Sequence, residues 1–315
     1  MPNSLIYRPT LIDTLTSIQR IHSYQSVFLP TNDVELMGVY LWNSHVVGSL
    51  YPLVSTLEVA LRNAINEILT FGLGRFWWDS PAPSASPILT YVSQALPTLP
   101  QAVSDLRGNF ARATSKFIRE ESDRTGIPRS HVTLDHGGIV AKTDFSTWEH
   151  ILDGEFHGRS HIWPRYLGKV FAGPWPFPSS RLTLTFARNA VHEIREFRNR
   201  LFHHEPAWKK FGTVDEADAI GHLQDKIAKI KELLRLIHPE VLRMLEVNGL
   251  LASADRAATS NEIRRFQHTA RTMKIKSITS LAALLSHCGS SNSAVQFKTY
   301  RKNNGHKTFV VIPKR

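Results

Sequence analysis

The 315-residue chain has a single cysteine, Cys288, which excludes an intrachain disulfide framework and a cysteine-rich zinc site and suits a reducing cytosol. No apolar run reaches the roughly 18 residues of a membrane span, so no transmembrane helix is expected. The N-terminal MPNSLIYRPTLIDTL lacks a basic segment followed by an apolar core. No secretory signal is therefore expected, and a cytoplasmic location is. Neither G-x-S-x-G nor a Walker or dinucleotide fingerprint is present, and no cofactor is expected. His157 and His161 have helical metal-ligand spacing, but Gly158 separates them and no third ligand clusters nearby. His192-Glu193 lacks the second histidine of a zinc-protease helix, so no metal is expected either. Acids are scarce in one region only. From residue 261 onward there are eleven Lys and Arg against one acid, Glu262, so this tail carries +10 of the chain's +11. Such a surplus favours an anionic partner such as nucleic acid, and its position assigns that role to the tail.

What is present is mostly helical pattern. The 42% hydrophobic content supports a sizeable core. Residues 34–71 read as two helices meeting near Gly48 to Pro52, since Leu53, Leu57, Leu61, Ala64, Ile65 and Ile68 recur at three- and four-residue spacing. Further helices are predicted over about 99–121, around Trp148 to Leu152 and Trp163 to Phe171, over about 181–204 with Ser180 as N-cap, and over about 216–247 with a break at Pro239. Residues 124–147 read as irregular. Strands and helices do not alternate, which argues against a doubly wound sheet. In the tail, SITSLAALLSH reads as a helix, and AVQFKTY, RKNNG and HKTFVVIPK as strand, turn and strand. The expected fold is mainly α, a helical bundle over 1–250 with a small basic α+β appendage over 251–315 that contains a β-hairpin.

The helix from Leu182 carries the chemistry. At 100° per residue, Phe186, Ala190, Ile194, Phe197 and Leu201 share one face, and Arg188, His192, Asn199 and His203 lie opposite. That polar stripe is either a solvated face or a functional one. It ends in Arg198-Asn199-Arg200-Leu201-Phe202-His203-His204-Glu205-Pro206. An arginine and a histidine near one phosphate suffice in principle for RNA cleavage without metal. The histidine moves a proton to or from the attacking 2′-hydroxyl or the leaving oxygen, and the guanidinium stabilises the phosphate. Asn199 could orient either group. The spacing R-x-x-x-x-H occurs twice, at Arg198/His203 and at Arg301/His306, and the second copy falls in the predicted hairpin turn. Arg198 and His203 are about 140° apart around an ideal helix. Convergence on one phosphate then needs either a distorted last turn or a twofold partner that brings a second Arg/His set.

The order of short segments extends this reading. Tyr40-Leu41-Trp42-Asn43, Glu58-Val59-Ala60-Leu61-Arg62-Asn63-Ala64, His136-Gly137-Gly138-Ile139-Val140-Ala141, Phe145-Ser146-Thr147-Trp148 and the Arg198 to Pro206 segment together resemble the Abi-like (abortive infection) family of the HEPN superfamily, over roughly residues 34–245. The resemblance implies an all-helical, metal-independent endoribonuclease of bacterial phage defence or of a toxin–antitoxin system. It implies Arg198 and His203 as catalytic residues with Asn199 beside them, cleavage that leaves a 2′,3′-cyclic phosphate, and an active site between two HEPN domains, hence a homodimer. RNA is the implied partner, with an antitoxin or regulatory RNA as a possible controller and no membrane.

Other residues keep two readings. Glu58 and Arg62 either form an intrahelical ion pair or, as the resemblance implies, support the active helix together with Asn63. His204 either assists or packs against the apolar side. Trp42, Trp77, Trp78 and Trp148 are stacking platforms or core. In the tail, Arg264, Arg265, Arg271, Lys274, Lys276, Lys298, Arg301, Lys302 and Lys307, interleaved with Phe297, Tyr300 and Phe309, either bind nucleic acid or form a solvated extension. The alternatives to the nuclease are a non-cleaving RNA-binding or regulatory module and a DNA-binding regulator with a wing-like hairpin.

Overall fold

Apolar residues at helical spacing turn most of the chain into helix, and the β-branched runs near its end supply the only strands among the described residues. The computed structural model describes residues 5–78, 101–158, 161–270, 272–275, 277–300 and 306–313. The main helices are α1 (Ile18–Phe28), α2 (Asp33–Leu73), α3 (Gln101–Thr125), α4 (His136–Ala141), α5 (Phe145–His150), α6 (Leu167–Val170), α7 (Ser180–Phe202), α8 (Glu216–Ile237), α9 (Pro239–Val247), α10 (Leu250–Ala257), α11 (Ser260–Phe266) and α12 (Ile278–Ser291). The strands are β1 (Thr272–Lys274), β2 (Val295–Tyr300) and β3 (His306–Val311).

The chain is thus mainly helical with a three-stranded sheet near its C-terminus. Among the described residues no helix is long and apolar enough to cross a membrane. The break at Pro239 is found, with α8 ending at Ile237 and α9 beginning at Pro239. The break at Pro52 is not, because α2 runs through it as one 41-residue helix. An internal proline costs a helix about 3 kcal/mol. Leu50, Leu53 and Leu57 around it are at most 1% exposed. Burying each contributes roughly 1.5–3 kcal/mol, so packing outweighs the missing hydrogen bond. Residues 124–147, expected to be irregular, contain α4, capped by the Asp135 carboxylate accepting from the Gly138 N–H at 2.6 Å. The strand β1 was not anticipated; three residues ending at a basic stretch give little period-2 signal.

The chain forms two compact units. The first comprises Met1–Val54, Asn199–Lys229 and Arg243–Arg315, and the second Ser55–Arg198 and Ile230–Leu242. Position 250, the sequence-based boundary, lies inside the first unit.

In the first unit an aromatic cluster forms the core. Tyr24 and Phe28 of α1 pack edge-on against Trp208 at centroid distances of 5.3 and 4.9 Å. Trp42 donates its indole N–H to the Ala257 carbonyl at 2.8 Å, tying α2 to α10. Gly38 lets the α11 end approach, since a Cβ there would lie 2.5 Å from the Phe266 carbonyl oxygen. The sheet pairs β1 parallel to β2 and β2 antiparallel to β3, so the expected hairpin strands are present while the turn, 301–305, lies outside the described residues. Phe297 is 9% exposed and stacks on Phe309 at 5.2 Å, which makes it core for the sheet rather than a base-stacking platform.

In the second unit, Leu57, Leu61, Ile65 and Leu69 of α2 are fully buried, as are Trp148 of α5 and Leu167 of α6. Gly138 packs against the Phe117 ring and Gly72 against Tyr166, whose hydroxyl donates to the Gly72 carbonyl at 3.2 Å. The Ala172 and Gly173 N–H groups cap the last carbonyls of α8, on Ile237 at 3.2 Å and Leu236 at 3.0 Å. Trp42, Trp77, Trp78 and Trp148 are all buried, so their core reading holds.

One buried carboxylate gives the first unit a pH dependence. Glu262 is 2% exposed. Its burial opposes ionisation, yet hydrogen bonds from His45, at 3.1 Å, and Arg265 hold its carboxyl down to about 2. A carboxyl lowered on folding stabilises above its unfolded value near 4.5, and the contribution is lost as pH falls from there toward about 2. Glu262→Gln should therefore cost on the order of 3 kcal/mol at pH 7, with the gap to wild type closing between pH 5 and 2 in urea unfolding, roughly as linkage requires.

Candidate functional site

The helix α7 positions the motif. Its N-terminus is capped by Ser179, whose Oγ accepts from the Leu182 N–H at 3.4 Å, one residue before the expected cap. Leu184, Ala187, Val191, Ile194, Phe197 and Leu201 fill its apolar face, each at most 4% exposed. The opposite stripe is not a simple solvated face. Arg188 pairs with Asp153 at 2.8 Å, and the buried Glu149 of α5 takes His192 at 2.8 Å and Arg195 at 2.5 Å on its two oxygens. Arg188 and Arg195 are thus held by carboxylates of the same unit.

Arg198 is half-buried and faces α2. Its Nε lies 3.6 Å from Glu58 Oε2, in an ion pair whose carboxylate side chain is 16% exposed. Glu58 therefore meets the motif arginine, and its pairing with Arg62 is not found among the described residues. Arg62 is half-buried one turn further along α2. Asn63 is exposed and its side chain makes no hydrogen bond among the described residues. Of the three proposed supporting groups on α2, Glu58 alone reaches the motif.

On the first-unit side the helix closes with a Schellman cap. The His204 N–H donates to the Leu201 carbonyl at 3.3 Å and the Glu205 N–H to the Arg200 carbonyl at 3.0 Å, with His204 at φ 55°. The His203 N–H still reaches the Asn199 carbonyl at 2.9 Å, so α-helical geometry persists to the cap. Of the two routes to convergence, a distorted last turn is therefore not observed. Arg200 and Glu205 pair across the cap at 3.3 Å. Beyond Pro206, the buried Asn43 of α2 accepts the Ala207 N–H at 2.9 Å, and the next residue, Trp208, is 1% exposed in the aromatic core. Tyr51 meets Phe202 at 5.5 Å. This anchoring leaves the His203 and His204 side chains exposed, so the packed reading of His204 is corrected: its left-handed backbone turns the chain away from the apolar face before the ring can pack.

Asn43 and Trp208 are the positioning residues that sequence reasoning overlooked. Both were visible as residue types, an amide in Tyr40-Leu41-Trp42-Asn43 and a tryptophan just after a helix-stopping proline. The other motif segments also have structural work. Asp144 caps α5 at the Thr147 N–H, Ser146 accepts from the buried Asn109 at 2.9 Å, and the Trp148 indole donates to Thr143 at 3.1 Å.

The tail's charge is less available than its count suggests. Arg264 pairs with Glu216 at 2.8 Å and Arg265 with Glu262, while the Arg265 guanidinium also lies over the Phe266 ring. Both arginines border a cavity of about 550 Å³ together with Asn261, His287, Ser291 and Gln296. Lys274 is exposed on β1, in register with half-buried Lys298 on β2. Arg271, Lys276, Arg301 and Lys302 lie outside the described residues, as does the side chain of Lys307. Elsewhere, His157 is hydrogen-bonded to Ser180 at 3.3 Å.

No protein-family model matches the chain, and neither the curated proteins nor the solved structures contain a match.

A non-glycine residue in the left-handed region costs about 1–2 kcal/mol, part of which glycine's extra chain entropy offsets. His204→Gly should raise stability by up to about 1 kcal/mol in urea unfolding, whereas His204→Val should lower it.

Proposed function

We propose that the chain is a metal-independent endoribonuclease of the Abi-like family in the HEPN superfamily, active as a homodimer in bacterial abortive-infection or toxin-type defence. The observation that carries this reading is the end of α7. A capped helix presents the His203 ring to solvent, and Arg198, in the preceding turn, is held by Glu58. The two residues are the arginine and histidine of the motif that resembles the family.

In the proposed reaction the RNA 2′-oxygen attacks the adjacent phosphorus. The bond to the 5′-oxygen breaks, and the proton lost by the 2′-hydroxyl is replaced by one delivered to the leaving oxygen. His203 serves as the base or the acid in that exchange. Arg198 stabilises the charge that builds on the phosphoryl oxygens. Asn199 orients Arg198, His203 or the RNA. The products are a 2′,3′-cyclic phosphate and a 5′-hydroxyl.

The test compares wild type and His203→Ala on total RNA in EDTA, with the new ends mapped. Wild type should cut and leave cyclic phosphate ends, and the variant should lose at least about 100-fold in rate. Equal cleavage by both proteins would remove His203 from the mechanism. Loss of wild-type cleavage in EDTA would contradict a metal-free reaction, and tighter binding to duplex DNA than to RNA would favour a DNA-binding regulator.

A further inference from the structure

The first 260 residues are close to neutral in sum, but the fold concentrates cations on one face of α3. Arg112, Lys116 and Arg119 follow one another at i, i+4 and i+7, and Arg129, just beyond the helix, joins them around an open groove of about 440 Å³. The remaining wall is Ala111 and Ser115. All four cations are exposed. Arg112 is hydrogen-bonded to Asn109, and Lys116, Arg119 and Arg129 have no carboxylate within 4.0 Å among the described residues. The nearby acids are engaged elsewhere, Glu120 with Lys142 and Glu121 with Arg124. Like charges at i, i+3 and i, i+4 destabilise a helix by a few tenths of a kcal/mol per pair, so the fold tolerates repulsion here that one acidic substitution would relieve.

We propose that this groove binds a single nucleic-acid strand by its phosphates. The inference rests on the nuclease reading for its substrate. With a rise of 1.5 Å per residue, the cations from Arg112 to Arg119 span about 10 Å, a reach that meets successive phosphates of one strand. The nearby aromatic rings, Trp78 and Phe110, are 6% and 1% exposed and stack on each other at 4.2 Å, so they offer no face to a base. Recognition in the groove is therefore electrostatic and independent of sequence. The tail contrasts with this, since Arg264 and Arg265 already meet carboxylates.

The experiment measures binding of a labelled 20-nucleotide single-stranded RNA between about 50 and 200 mM salt, in a His203→Ala background that keeps the RNA intact. The groove variant combines Lys116→Gln, Arg119→Gln and Arg129→Gln. It should bind at least tenfold more weakly at the lowest salt, and its log–log salt slope should shallow by about 2, at roughly 0.7 for each phosphate no longer neutralised. All three residues are exposed, and circular dichroism with thermal unfolding checks that the variant folds like its parent. A tail variant, Lys274→Gln with Lys298→Gln, should change the slope less. Unchanged affinity and slope in the groove variant would overturn the proposal, as would weakening confined to the tail variant or binding to anionic vesicles in preference to RNA. Because the readout is binding, weaker RNA affinity in the groove variant of a chain that never cleaves RNA would leave the groove standing and remove only the nuclease.

Discussion

The candidate site depends on how α7 ends. A helix leaves its last carbonyls unsatisfied, and here two of them are met by the Schellman bonds from His204 and Glu205. The following segment is then fixed by one buried hydrogen bond, from the Ala207 N–H to Asn43, and by Trp208 in the aromatic core. An unpaired amide or amide oxygen buried at that depth would cost about 1–3 kcal/mol, so the anchor is well specified. Its consequence is functional. The chain must leave the helix at His203, and the side chains at the turn are exposed because the backbone, rather than the rings, supplies the packing.

Charge has a second organising role, and its net value gives a poor guide to where it acts. The tail holds nearly the whole surplus by count, yet two of its arginines are bound to Glu216 and Glu262. On α7, Arg188, Arg195 and Arg198 are each matched to a carboxylate. Among the described residues, Lys116 and Arg119 of α3 and Arg129 just beyond it are gathered without such partners, inside a region whose formal sum is near zero. Electrostatic reach depends on local pairing more than on regional totals.

Much of the fold was legible in sequence because helical periodicity is a local property. The spans of α3, α7, α8 and α9, the Pro239 break and both hairpin strands follow from spacing and turn residues. Pro52 misled because the cost of a proline is local whereas the burial of Leu50, Leu53 and Leu57 that overrides it is tertiary. Ser179 displaced Ser180 as the cap of α7 by one residue, within the ambiguity that two adjacent serines create. Of the candidate site, residue types and helix position were readable, as was the possibility that Glu58 supports the motif. Its partner Arg198, the role of Asn43 and the left-handed turn at His204 were not, because each depends on a contact between distant segments or on a backbone angle that no spacing rule encodes.

The regular cap also bears on assembly. Helical hydrogen bonding continues to His203, and on an ideal helix Arg198 and His203 lie about 140° apart, so one helix alone would not aim both groups at a single phosphate. The proposed twofold arrangement resolves this by letting each cleft draw on two chains. The most direct measurement mixes Arg198→Ala with His203→Ala under conditions that allow subunits to exchange, and follows RNA cleavage. Recovery of a substantial fraction of wild-type activity in the mixture, from two proteins that are inactive alone, is the expected result. A mixture as inactive as its components, with exchange demonstrated, would contradict a cleft shared between chains.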